Sequence, residues 1–188
     1  TLFLVVSLFS SNAYADTVQT NTVPASTKTI GAEPWTRCKK IERVDVDPDN
    51  LAFKSIDGVL FSKNMIALLL YPSSKTDETY FIPDNVLIIK DYAFYDNNYL
   101  KDVIIPETVA TIGDYTFYNC DSLTQIKIPD EVVSIGNYTF RDCNNLTSVV
   151  MGSGITSIGN YAFCKEDYWN DNAINPDVYF NGTEEQWN

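Results

Sequence analysis

Residues 105–127, IPETVATIGDYTFYNCDSLTQIK, and residues 128–150, IPDEVVSIGNYTFRDCNNLTSVV, are two copies of one 23-residue pattern. The pattern extends to both sides, because Ile-Pro also stands at Ile82-Pro83 and the same apolar positions recur up to residue 163. Four columns repeat at this period: Val86, Val109, Val132 and Ile155; Ile89, Ile112, Ile135 and Ile158; Phe94, Phe117, Phe140 and Phe163; Leu100, Leu123 and Leu146. A fixed period of this length predicts units that stack into a solenoid.

Each unit predicts one strand and one short helix. The segment Leu-x-x-Val/Ile-x-Ile alternates apolar and polar residues, as a strand with one buried face does. The Pro that follows cannot donate to a ladder and ends the strand. Gly113, Gly136 and Gly159 permit a backbone conformation that is costly for other residues, and the next position of each coil holds an Asp or Asn suited to capping a helical turn that contains the Phe. The capping candidates are Asp91, Asp114, Asn137 and Asn160. The predicted fold is an α/β repeat of coils of 23 residues, each with a short parallel strand and a short helical turn.

The motif I-P-x-x-V-x-x-I-G-x-Y-[AT]-F-x-x-C-x-x-L resembles the leucine-rich repeat of BspA-type bacterial surface proteins. The stretch SIDGVLFSK at residues 55–63, with LLYP at residues 69–72, resembles the hairpin unit often interleaved in that family. The resemblance covers about residues 41–187, with local departures at Lys90, Asn97 and Met151. It implies a leucine-rich repeat solenoid with an antiparallel hairpin unit on its N-terminal side. It also implies secretion or attachment to the bacterial cell surface, and binding of host proteins or other cells.

The chain divides into four predicted segments: a signal peptide over residues 1–15, a flexible spacer over 16–34, an N-terminal capping and hairpin unit over 35–81, and leucine-rich repeats with a divergent, truncated C-terminal unit over 82–188. The apolar run Leu2–Phe9 before Ala13-Tyr14-Ala15 is typical of a cleaved signal peptide. A membrane anchor is the alternative, although the run is shorter than the roughly 20 residues a spanning helix needs. The spacer is rich in Thr and Ser and shows no apolar periodicity.

Charge and composition exclude several functions. The 13 Lys and Arg against 25 Asp and Glu give a net charge of −12, which repels phosphate backbones and anionic lipids. We therefore expect no nucleic-acid partner and no membrane insertion after signal cleavage. The chain has no His, so Ser-His-Asp and Cys-His nucleophiles and His-containing zinc sites are excluded. We expect neither enzymatic activity nor a cofactor, and a hydrolase using paired carboxylates is the remaining enzymatic alternative.

Two features suggest a metal or a disulfide. Asp45, Asp47 and Asp49 alternate like the carboxylates that open a calcium loop, but Asn50 and Ile56 stand where such a loop needs Gly and Glu. We therefore predict a turn without metal there, with calcium as the alternative. Cys120 and Cys143, one period apart, should lie on adjacent coils, either as a disulfide or as buried free thiols. The side chains of stacked coils point in parallel, which favours free thiols. The other cysteines are Cys38 and Cys164.

Two sets of residues are candidates for binding. The first, which we call the strand face, consists of the outward residues of the predicted strands: Phe81, Ile104, Lys127, Val150, Asp102, Gln125 and Ser148. The second, the aromatic row, consists of Tyr92, Tyr115, Tyr138 and Tyr161. Exposed apolar side chains and tyrosines favour a recognition surface. The alternative is that both sets only cover the sheet and shield the edges of the coils.

The favoured hypothesis is a non-enzymatic interaction module, exported to the cell surface, that binds an extracellular protein or glycan through the solenoid surface. The alternative function is a spacer or targeting region of a larger secreted protein, whose enzymatic or anchoring domain lies beyond residue 188.

Overall fold

A computed structural model describes residues 19–31, 40–164 and 176–180, and these residues form fourteen strands. The strands are β1 Gln19–Val23, β2 Ile41–Val46, β3 Phe53–Ile56, β4 Val59–Ser62, β5 Ala67–Leu70, β6 Thr79–Phe81, β7 Ile88–Ile89, β8 Asp102–Ile104, β9 Thr111–Ile112, β10 Gln125–Ile128, β11 Ser134–Ile135, β12 Ser148–Met151, β13 Ser157–Ile158 and β14 Asp177–Phe180. The predicted signal peptide, Cys38 and the end of the chain lie outside the described residues.

The repeat builds two parallel ladders. On one side β6 pairs with β8, and β10 pairs with β12, which pairs with β14. The amide N of Thr124 joins the two groups by donating to the carbonyl O of Lys101 at 3.1 Å. On the other side β7, β9, β11 and β13 pair in order. Partners such as Lys127 and Val150 stand one period apart, so each coil adds one strand to each ladder. The predicted solenoid with parallel strands is therefore confirmed.

An antiparallel unit precedes the regular coils. β3 pairs antiparallel with β4, and β4 pairs antiparallel with β5. Between β3 and β4 the chain turns through Asp57 and Gly58, both with positive φ, as a two-residue hairpin loop requires. A Cβ on Gly58 would also lie 2.7 Å from the Cβ of Arg43. β5 then pairs parallel with β7, which continues this unit into the second ladder.

The expected flexible spacer over residues 16–34 is wrong for residues 19–23. These form β1, which pairs in parallel with β2. Asn21 and Val23 are buried, whereas Thr20 and Thr22 are exposed. This alternation belongs to a strand of β-branched and polar residues, which lacks the large apolar side chains that make other strands recognisable.

The described residues contain no helix, and the predicted short helical turn is wrong. In its place each coil makes tight turns, which together we call the turn face: residues 91–97, 114–120, 137–143 and 160–164. The second residue of each stretch is a left-handed Tyr, as at Tyr92 with φ 61°. A left-handed residue interrupts a helix. The amide N of Tyr92 instead donates to the next coil, at Asp114 O, with a distance of 3.0 Å. The amide N of Phe94 donates in the same way to Thr116 O at 2.8 Å. Every second amide of this segment therefore bonds to the next coil, whereas the amides between them make local turn bonds, such as Tyr95 N to Tyr92 O at 3.2 Å.

The residues expected to cap helices form a ladder between coils. The Oδ1 atom of Asp91 accepts from the amide N of Asp114 at 3.0 Å. Asp114 Oδ1 accepts from the amide N of Asn137 at 2.7 Å, and Asn137 Oδ1 accepts from Asn160 at 2.9 Å. Each of these side chains therefore holds the backbone of the next coil in place along the solenoid axis.

The glycines before this ladder are required because they have no side chain. Gly113 and Gly136 do not have positive φ, contrary to the expected backbone freedom. A Cβ on Gly136 would lie 2.7 Å from the carbonyl C of Gly113, closer than real Cβ contacts. The coils therefore approach each other too closely at this point for any side chain.

The core contains a continuous file of stacked rings. Phe94, Phe117, Phe140 and Phe163 follow one another with centroid distances of 4.9, 5.2 and 5.4 Å. Tyr71 extends the file, 5.3 Å from Phe94. The predicted internal Phe column is confirmed, and the file reaches one coil further than the Phe column predicts. Among the described residues there is no helix long and apolar enough to cross a membrane.

Candidate functional site

The strand face forms a row of side chains that changes from coil to coil. Phe81 lies opposite Ile104, and Lys127 lies opposite Val150. Phe81 is 70% exposed and Ile104 is 42% exposed, large values for apolar side chains. The row continues to Tyr179, which pairs with Val150 and is 56% exposed. The 23-residue period does not predict Tyr179, because the sequence before β14 departs from it.

Six of the seven predicted strand-face residues line one shallow depression of about 380 Å³. They are Asp102, Ile104, Gln125, Lys127, Ser148 and Val150, and Phe81 lies beside them in β6. Glu107, from the segment after β8, completes the polar lining. The depression therefore combines apolar side chains with hydrogen-bonding groups, as recognition sites do.

Lysines on this side of the molecule are engaged in ion pairs. Lys127 Nζ lies 2.7 Å from Glu107 Oε1, and Lys101 Nζ lies 2.7 Å from Glu78 Oε1. The hydrogen bond to Glu107 raises the pKa of Lys127. Acidic residues outnumber these two lysines along the strands and the segments that follow them: Glu78, Asp84, Asp102, Glu107, Asp130 and Asp177. The side of the molecule that carries the strand face is therefore negatively charged overall, and the excess comes from the residues beside the strand face.

The aromatic row forms a second file on the turn face. Its rings stack nearly parallel, with centroid distances of 4.9 Å from Tyr92 to Tyr115, 4.7 Å from Tyr115 to Tyr138 and 5.3 Å from Tyr138 to Tyr161. The faces of the inner rings therefore cover one another. Tyr161, at the end of the file, is 60% exposed.

A neighbouring file escaped the sequence analysis. Tyr95 stacks on Tyr118 at 5.2 Å, and each of these rings also contacts a ring of the aromatic row, Tyr92 and Tyr115 respectively. In the next coil Arg141 stands at the position of Tyr95 and Tyr118, and its guanidinium group lies 5.4 Å from the centroid of the Tyr138 ring. The recurrence of Tyr at positions 95 and 118, one period apart, was the sequence signal that could have predicted this second file.

The cysteines have a structural role. Cys120 and Cys143 are free and buried, so the prediction of free thiols is confirmed. Cys120 Sγ donates to Phe94 O at 3.1 Å, and Cys143 Sγ donates to Phe117 O at 2.9 Å. Burial is the main reason why the pKa of the Cys120 thiol lies well above its usual value, and the neighbouring Cys143 thiol raises it further. Such a thiol is a poor nucleophile.

Asparagines take the same position in the earlier coils. Asn97 Nδ2 donates to Pro72 O at 3.2 Å, and its Oδ1 accepts from the amide N of Leu100 at 2.9 Å. The departure from Cys at Asn97 thus preserves a bond between coils. Asn50 is fully buried and makes the equivalent bond to Pro24 O at 2.7 Å.

The turn predicted at residues 45–50 is present. Asp47 Oδ1 accepts from the amide N of Asp49 at 2.9 Å, and the Asn50 side chain is directed inward to backbone groups. Within the described ranges, no three His, Cys, Asp or Glu residues are grouped so as to hold a metal ion.

Comparisons with known proteins agree with the geometry. The family model described as BspA type Leucine rich repeat region matches residues 71–178 in six copies. No curated protein sequence matches the chain.

Several solved structures are similar to this chain. A leucine-rich repeat protein from Eubacterium ventriosum is 29% identical with a TM-score of 0.73, over 77% of this chain and 39% of that one. A leucine rich cell surface protein from Faecalibacterium prausnitzii is 26% identical with a TM-score of 0.76, over 89% and 49%. The pneumococcal vaccine antigen PcpA is 25% identical with a TM-score of 0.64, over 88% and 45%. The chain thus spans less than half the length of each of these three structures.

Proposed function

The chain belongs to the BspA-type leucine-rich repeat family, and from this premise we propose that it is a non-enzymatic module that binds an extracellular protein through its strand face. A solenoid of this kind offers an extended surface for recognition. The proposal places the protein outside the cell, either secreted or attached to the surface. The similarity to a leucine rich cell surface protein supports this location.

The observation that carries the proposal is the difference between outward residues in successive coils. The strand face presents Phe81, Ile104, Lys127 and Val150 at one position, whereas the turn face presents Tyr at the matching position of every coil. A residue type that stacking requires should repeat. Exposed apolar residues that change from coil to coil do not contribute to such a stack, and they are suited to one specific partner.

Protein is favoured over glycan by the way in which the tyrosines are arranged. The faces of Tyr115 and Tyr138 are stacked against their neighbours, so that these rings expose mainly their edges and hydroxyl groups. The exposed apolar surface of the strand face is instead suited to the side chains of a protein partner.

Immobilised arrays of purified extracellular matrix proteins and of glycans would test the proposal. We expect the wild-type protein to bind at least one protein, and the variant Phe81→Thr/Ile104→Thr/Val150→Thr to lose that binding. Threonine is polar and β-branched, and β-branched residues are favoured in strands. The matched control is Leu51→Thr/Leu87→Thr/Val133→Thr, which removes three exposed apolar side chains elsewhere. Equal binding by the two triple variants, or binding to glycans alone, would contradict the proposal.

A spacer function is the second candidate. It is favoured because the chain spans less than half the length of each of the three similar structures, as one region of a larger protein would. A spacer needs length and rigidity but no particular strand-face residues. It predicts that neither triple variant changes any binding measured on the arrays.

A further inference from the structure

We propose that the depression on the strand face binds a protein segment in which apolar side chains alternate with Lys or Arg. This inference rests on the proposed function and names the chemistry of the partner. The depression is apolar on both sides of its centre, since Ile104 and Val150 belong to the coils before and after Lys127. The methylene groups of Lys127 connect these two apolar patches.

The charge of this surface selects the sign of the partner. Asp102 and Glu107 line the depression, and Lys127, its only lysine among the described residues, is held by Glu107 at 2.7 Å. Asp84 and Asp130 stand at the positions equivalent to Glu107 in the coils before and after it. A cation approaching this face is attracted, and an anion is repelled.

A second copy of the chain does not fit this description. Each copy has a net charge of −12 and would present the acidic residues around its own strand face, such as Glu107 and Asp130, to the other. An acidic peptide would have to compete with Glu107 for Lys127. A basic and apolar segment meets neither obstacle.

The pair of Lys127 and Glu107 allows a test of sign. Glu107 Oε2 also accepts from the amide N of Asp130 at 3.3 Å, so this carboxylate remains beside the depression when Lys127 is replaced. The variant Lys127→Ala therefore adds an available negative charge to the site. Binding of a cationic segment should become tighter, whereas an anionic partner would bind more weakly.

The probe is a fluorescent peptide of the pattern Lys-Phe-Lys-Leu-Lys-Phe-Lys, measured by anisotropy against the whole chain. Two matched peptides replace every Lys by Glu, or every Phe and Leu by Ser. We expect only the first peptide to bind, with an affinity that decreases as salt is added. Lys127→Ala should tighten it roughly 2- to 5-fold. Ile104→Thr/Val150→Thr should weaken it by about 10-fold or more.

The control for charge is Lys63→Ala, which removes one positive charge near Pro48, away from the depression. It should change the affinity by less than about twofold. An equal gain for Lys63→Ala and Lys127→Ala would overturn the inference, because the attraction would then be nonspecific. Unchanged binding by Ile104→Thr/Val150→Thr would overturn it for the same reason.

The remaining outcomes separate this inference from the proposed function. Absence of binding by the Lys peptide overturns the inference, and the array experiment then judges the strand face independently. Binding of the Glu peptide that is lost in Ile104→Thr/Val150→Thr and weakened by Lys127→Ala also overturns the inference. That result would nevertheless support the strand face as a binding surface.

Discussion

The strand face and the turn face follow the same 23-residue period, yet they use it in opposite ways. On the turn face, rings of one type stack on each other in successive coils, at 4.7 to 5.4 Å in the files that start at Tyr92 and Phe94. A change in one coil of such a file disturbs two neighbours. On the strand face the outward residues differ between coils; Phe81, Ile104 and Lys127 are exposed, and Val150 is half-buried. The turn face therefore maintains the shape of the solenoid, whereas the outward residues of the strand face are free to vary, as the proposed recognition role requires.

The largest effect should come from the internal Phe file. Phe117→Ala removes a fully buried ring that stacks on both Phe94 and Phe140, and we expect it to lower the free energy of unfolding by about 3–5 kcal/mol in a urea titration. The matched control is Phe81→Ala, the same change at a 70% exposed position on the strand face, with an expected loss below about 0.5 kcal/mol. Similar losses at the two positions would remove the distinction between the faces.

The close approach of the coils gives the next effect. Gly136→Ala places a Cβ 2.7 Å from the carbonyl of Gly113, and we expect a loss of about 1–3 kcal/mol in the same titration. Gly31→Ala is the control, since nothing lies within 4 Å of its added Cβ. A neutral result at Gly136 would mean that the coils can separate there without cost.

The aromatic row should contribute less, because its residues have an unfavourable backbone. Tyr115 stacks on two rings but has φ 54°. We expect Tyr115→Ala to cost about 1–2 kcal/mol from lost stacking. Tyr115→Gly should be more stable than Tyr115→Ala by about 0.5–1 kcal/mol, because glycine tolerates this backbone. The opposite order in thermal or urea unfolding would show that the left-handed conformation is not maintained by the stack.

The smallest effect expected on the turn face depends on pH. Burial, assisted by a hydrogen bond to Asp142, raises the pKa of Tyr118 to about 12. The unfolded chain releases this proton near pH 10, so it binds fewer protons than the folded chain between about pH 10 and 12. Stability should therefore fall as the pH rises through this range, by at most about 1 kcal/mol for this residue because solvent screens its exposed edge. Tyr118→Phe should make the decline less steep, and an unchanged slope would contradict this.

The sequence predicts the fold well where the same residue type stands at equivalent positions of adjacent coils, because these positions are in contact. The Phe94, Phe117 and Phe140 column needs no more than the period, because stacked coils place equal positions in contact. The same logic places Ile104 and Val150 on one surface. The period cannot identify features that break it, and Tyr179 was missed for that reason.

Other features were mispredicted because bonds between coils replaced local ones. The Asp and Asn residues that favour helix capping bind the next coil instead, as Asp91 binds Asp114. The left-handed Tyr92 prevents the helix that its neighbours suggest. Gln19–Val23 became a strand because β2 supplies its hydrogen bonds, which propensity over residues 16–34 alone does not reveal. In each case the competing interaction comes from residues distant in sequence.

The difference between the two faces can be measured most directly by the free energy of unfolding of two multiple variants. The strand-face variant is Phe81→Thr/Ile104→Thr/Val150→Thr, and the turn-face variant is Tyr115→Ala/Tyr138→Ala. We predict that the first loses no more than about 1 kcal/mol. The second removes three stacking contacts and should lose about 1.5–3 kcal/mol. A strand-face variant that loses as much as the turn-face variant would show that its exposed apolar residues maintain the fold, and would contradict their assignment to recognition.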